Sequence, residues 1–106
     1  MKIDVNVEEI DKQLRYHFPE IPAPGPRDII AVAEEAGEFA GAYNKSSGAS
    51  RNLISQEDFE DEWADVVITT LLTGYRFFGE SAQAIIARKM GVILTRGWRN
   101  RSEETA

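Results

Sequence analysis

Ile10, Leu14 and Phe18 recur every fourth residue, which predicts a first helix from about Val7 to Phe18 with one apolar stripe. The stretch Pro19 to Pro26 cannot continue it, because its four prolines remove backbone donors and push each preceding residue into extended geometry. A rigid connector is expected there. Apolar spacing resumes in a second helix from near Arg27 to about Asn44, with Pro26 suited to its first turn and Asp28 favourable to its dipole. Its expected core stripe is Ile29, Val32, Ala33, Ala36, Phe39, Ala40 and Tyr43. Turn formers between Asn44 and Asn52 predict a polar, flexible loop.

A third helix is expected from near Ser55, where Ser55 and Asp58 form a capping-box-like pair, to about Phe78. Its second half, Val66 to Thr73, is apolar or small on nearly every side, the pattern of a segment enclosed by neighbours or by a second subunit. Gly79 reads as a stop, and Ser81 opens a fourth helix through about Arg96, with Ile85, Ile86, Met90, Ile93 and Leu94 on its buried side. The pattern therefore predicts an all-α, four-helix bundle assembled as an oligomer. Its expected parts are an N-terminal helix and connector at 1–26, a core at 27–98 and a charged tail at 99–106.

At 106 residues the chain fits one small domain, which is marginal if it must bury a long apolar helix alone. Eighteen acidic residues against twelve basic ones give a net charge of -6, which argues against general affinity for nucleic acid or anionic membrane. The absence of cysteine excludes disulfides, thiolate catalysis and cysteine zinc sites. With no apolar run of transmembrane length and a polar start, the expectation is a cytoplasmic protein.

The charges are unevenly placed. Glu34, Glu35 and Glu38 lie in a run without basic residues from Asp28 to Asn44, and Glu62 and Asp65 lie in another from Asn52 to Tyr75. Glu34 and Glu38 are four apart, a like-charge spacing that destabilises an isolated helix. Glu35 and Glu38, like Glu62 and Asp65, are three apart, so each helix can offer a carboxylate pair to its antiparallel neighbour. Such a set suits a hard divalent ion that keeps sites for water and phosphate, Mg²⁺ or with the same donors Mn²⁺.

The motif Glu34-Glu35-x-x-Glu38, followed after 23 residues by Glu62-x-x-Asp65, resembles the signature of MazG-like all-α nucleoside triphosphate pyrophosphohydrolases. Relatives of that family include dimeric dUTPases, dCTP pyrophosphatases and phosphoribosyl-ATP pyrophosphohydrolase. The resemblance covers roughly residues 27–98. It implies Glu35, Glu38, Glu62 and Asp65 as metal ligands, and Glu34 as a supporting ligand or the group that orients the attacking water. Lys89 and Arg96 match the family's phosphate-holding cations, while Ile93 stands where the family pattern has asparagine. The implied reaction is hydrolysis between the α and β phosphates of a nucleotide, by a homodimer or homotetramer. Residue type alone nominates His17, Phe18, Phe39, Tyr43 and Trp63 for a base pocket.

Plainer readings stand beside these. Glu57, Asp58, Glu60 and Asp61 suit a helix first turn, Arg96 suits a helix C-terminus, and Trp63 suits core packing. Lys89 suits either a phosphate contact or a side chain that snorkels or pairs with a carboxylate. A non-catalytic, oligomeric helical module that retains a metal site is the alternative function. A di-iron bundle is disfavoured because its Glu-x-x-His motifs are absent.

Overall fold

The computed structural model describes residues 1–46 and 53–97. The centre of the expected polar loop and the tail from Trp98 lie outside the described residues. Those described form four helices and no strand: α1 Val7–His17, α2 Pro26–Ser46, α3 Gln56–Phe78 and α4 Ser81–Arg96. None of the four is long and apolar enough to cross a membrane.

Local chemistry explains where these helices start and stop. The Glu9 N–H donates to Asn6 Oδ1 at 3.0 Å, and the Asp58 N–H donates to Ser55 Oγ at 3.0 Å, which satisfies a free donor at the starts of α1 and α3. At α2 the Gly25 N–H donates to Asp28 Oδ2 at 2.9 Å, the reach-back half of a capping box. Gly79 ends α3 at φ +59° and ψ −139°, a conformation that favours glycine, and its N–H bonds to Tyr75 O at 2.7 Å.

α3 is the spine. It packs most extensively on α2, and α1 and α4 rest on it as well. Phe39 near the end of α2 stacks on Phe59 near the start of α3, with ring centroids 5.5 Å apart, so the two helices run antiparallel. At the opposite end Arg76 Nη1 pairs with Asp28 Oδ1, and Arg76 Nη2 donates to Pro22 O. The side chains of Arg76 and Asp28 are only 13% and 12% exposed. One guanidinium thus ties the end of α3, the start of α2 and the proline-rich connector together. Tyr75, beside it in sequence, holds its phenol proton above the ordinary value through burial first and then the charges of Glu8, Glu80 and Asp11, opposed by Lys12.

The face that α2 turns to the interior differs from the expected stripe. Val32 and Phe39 are partly buried as expected, but Ile29, Ala33, Ala36, Ala40 and Tyr43 are exposed, Tyr43 by 60%. The interior face instead carries Asp28, Glu35 and Ala42, because the Asp28–Arg76 pair and the aromatic stack set the rotation of α2 about its axis. Trp63 and Ile68 on α3 are exposed rather than core. On α4 only Ile85 and Ile93 of the expected buried set are partly covered, while Ile86, Met90 and Leu94 are exposed, and Lys89 is exposed too. Ala42 is the one buried apolar residue among those described. The chain spreads accordingly, with a radius of gyration of 16.8 Å against about 13 Å for a compact domain of its length.

Arg76→Met retains the apolar stem but leaves Asp28 enclosed without its cation. Urea denaturation should show a loss of about 3 kcal/mol, and Asp28→Asn combined with Arg76→Met should recover part of it.

Candidate metal centre

Three carboxylates meet in the middle of the α2–α3 seam, between the aromatic stack at one end and the ion pair at the other. Glu35, Glu62 and Asp65 each bring one carboxylate oxygen within 4.8 Å of the others. The periodicity of two antiparallel helices produces this meeting: Asp28, Val32, Glu35, Phe39 and Ala42 recur on one face of α2, while Phe59, Glu62 and Arg76 fall on the facing side of α3. Glu35 and Glu62 are half-buried and Asp65 lies at the rim.

These groups lack compensation among the described residues. Glu35 Oε2 and Glu62 Oε2 are shielded from solvent and have no hydrogen-bond partner. None of the salt bridges among the described residues involves the triad. Glu35 consequently holds its proton above the ordinary carboxylate value. Burial is the largest cause, followed by the charges of Glu38 and Asp65, a side-chain hydrogen bond with Glu38, and the charge of Glu62. A bound cation relieves every one of these contributions.

Glu38 is exposed, as is Glu34, and is not one of the three clustered carboxylates, though its charge acts on Glu35. Glu38 and Glu62 also line an open cleft of about 490 Å³, with Gly41, Ala42, Lys45, Ile54, Asp58 and Asp61 around it. Asp58 and Asp61 read as first-turn residues in the sequence. The signal that they share this wall is their spacing of three and four from Asp61–Glu62 and Asp65, which repeats one face of α3. Lys89 and Arg96 are exposed on α4 and make no ion pair among the described residues. Of the residues nominated for a base pocket, Phe39 packs on Phe59 inside the seam, and His17 makes an edge contact with Tyr16.

The donor set is all carboxylate, with neither cysteine nor histidine, which fits a hard divalent cation. No family model matches this chain, and comparison with curated proteins and with solved structures returns no match.

The raised affinity of Glu35 for its proton sets the pH dependence of the metal-free protein. Between the ordinary carboxylate pKa and the raised one the folded state binds more protons than the unfolded state, so stability falls as pH rises through that window. Thermal melts in chelator across this range should show that downward slope, and Glu35→Gln should flatten it. Added Mg²⁺ or Mn²⁺ should raise the melting temperature most above the window, where the carboxylates are charged, and Asp65→Asn should remove most of the gain.

Proposed function

We propose that this chain is a Mg²⁺-dependent nucleotide pyrophosphohydrolase that cleaves between the α and β phosphates of a nucleoside triphosphate, releasing the monophosphate and pyrophosphate. The observation that carries this reading is the triad of Glu35, Glu62 and Asp65, with two orphaned carboxylate oxygens held between antiparallel helices. The motif resemblance supplies the reaction class; the geometry supports it by assembling three of the four implied ligands and placing Glu38 beside them.

Glu35, Glu62 and Asp65, joined by Glu38, would hold the ion. When bound, it supplies positive charge to screen polyphosphate and activates water for attack on phosphorus. The carboxylate wall has a second consequence. Glu38, Asp58, Asp61 and Glu62 repel a free triphosphate, so the cleft admits nucleotide only once the acids are screened. Glu34, exposed one turn from Glu38, would orient the attacking water. A volume of about 490 Å³ accommodates a nucleotide-sized ligand. Lys89 and Arg96 would contribute to phosphate binding in an assembled homodimer or homotetramer.

A second reading has one observation in its favour. Because Lys89 and Arg96 stand exposed on α4 with no ion pair among the described residues, the acids could serve as a metal clip between α2 and α3 in a non-catalytic binding module. The two readings part on turnover.

Pyrophosphate release measured over a panel of canonical and modified nucleotides should show Mg²⁺-dependent hydrolysis, abolished by chelator. Glu38→Gln and Asp65→Asn should reduce it to background with helical content unchanged. Lys89→Met should lower kcat/KM by about a hundredfold, the effect of losing one charge-stabilising contact in the transition state. Metal-dependent stabilisation without hydrolysis of any panel member would select the clip.

A further inference from the structure

The cleft beside the carboxylate triad is continuous with it through Glu62, which belongs to both, and extends toward the end of α2. Glu38, Gly41, Ala42 and Lys45 make its α2 wall, spaced by three and four residues along one helix face. Asp58, Asp61 and Glu62 make the facing wall on α3. Among the described residues Lys45 is the one cation lining this space. It makes no ion pair there, although four acids line the same cleft.

A lysine in the last turn of a helix is favoured by the helix dipole, and that alone would account for its charge. Its place at the cleft has a further consequence. The four carboxylates and the carbonyl end of α2 together repel an anion, and a cation held by the triad screens only the Glu62 end. A polyphosphate that reacts at the triad carries its terminal charge away from that ion, so its far end needs a second positive group. Lys89 and Arg96 do not supply one within the chain, since α4 packs chiefly on α3 and neither residue lines the cleft. Lys45 does. It lies seven residues beyond Glu38, about 10 Å along the axis of α2, a span that an extended triphosphate and the lysine's own stem together bridge.

We propose that Lys45 is the substrate-binding residue that holds the pyrophosphate end of the nucleotide. The reacting phosphorus then lies at the triad, and the terminal phosphates point along α2 toward its C-terminus. The assignment takes the reaction from the nucleotide reading above and the contact from the cleft itself. A point charge on a flexible stem suits phosphate oxygens, and an arginine at the same position would serve them as well.

Calorimetric titration of inorganic pyrophosphate into the protein in Mg²⁺ reads the contact without turnover. Lys45→Met should weaken pyrophosphate binding by tenfold or more, and Lys45→Arg should restore most of it. Lys12→Met, on α1, should bind as the wild type does. Affinity for a non-hydrolysable nucleoside triphosphate should fall together with that for pyrophosphate, while affinity for a nucleoside monophosphate should not. The rise in melting temperature produced by Mg²⁺ alone should be equal in Lys45→Met and wild type, which separates loss of phosphate from loss of metal. Three results would each overturn the proposal: wild-type protein that binds no pyrophosphate in Mg²⁺, unchanged pyrophosphate affinity in Lys45→Met, or a loss confined to the monophosphate. Lys45-dependent pyrophosphate binding without hydrolysis of any nucleotide would support the contact and remove the hydrolase reading. Nucleotide turnover with pyrophosphate binding indifferent to Lys45 would do the reverse.

Discussion

The seam between α2 and α3 has to bury carboxylates, and most of the architecture answers to that requirement. Glu35 and Glu62 lie where a bundle of this kind would ordinarily place leucine or valine, with an oxygen of each shielded and unpaired. Such a seam cannot hold itself together by apolar packing at its centre. It is held at its ends instead, by the Phe39–Phe59 stack where α2 finishes and by the Asp28–Arg76 pair where it starts. Those two contacts fix the rotation and the axial register of α2 on α3, and so bring Asp65 to the rim beside the two glutamates.

Fixing α2 in this orientation displaces what the apolar pattern would otherwise bury. The helix carries two interleaved stripes. One is mixed, Asp28, Val32, Glu35, Phe39 and Ala42; the other is purely apolar, Ile29, Ala33, Ala36, Ala40 and Tyr43. They differ by one residue, which is a rotation of about 100°. Burial in a lone chain would favour the apolar stripe, yet the mixed one faces α3. The acids thus occupy the interior at the expense of the residues best suited to it. A chain with only Ala42 buried among its described residues has little hydrophobic stabilisation of its own.

This explains what was and was not legible in the sequence. Helix existence and ends were readable because they depend on near neighbours: Ser55 with Asp58, Asp28 with the Gly25–Pro26 start, Gly79 as a stop. The acidic motif was readable in part: spacing brings Glu35, Glu62 and Asp65 together across two antiparallel helices, while Glu38, expected beside them, lies outside that group. The face of α2 was not readable. Its rotation is decided by Arg76, 48 residues from Asp28, and by Phe59, 20 residues from Phe39, and neither pairing leaves a mark on local periodicity. Hydropathy, which ranks Ile29 above Glu35, pointed to the opposite side. The exposure of Lys89 was hidden for a related reason: its neighbours Ile85 and Ile93 are apolar, but α4 packs chiefly on α3 alone and Lys89 lies off that contact.

The carboxylate seam and the exposed apolar stripe are coupled through α2, which carries both. A cation between Glu35, Glu62 and Asp65 would remove the repulsion that opposes closing α2 on α3, which makes the mixed face the stable interior face. That same rotation presents the apolar stripe outward. A bound cation and a cover over that stripe would favour the same orientation of the helix, and by linkage each would then strengthen the other. Regarded this way, the like-charged carboxylates at the centre of the molecule do more than form a candidate site: without a cation, their repulsion opposes the packing of α2 on α3 that the end contacts impose.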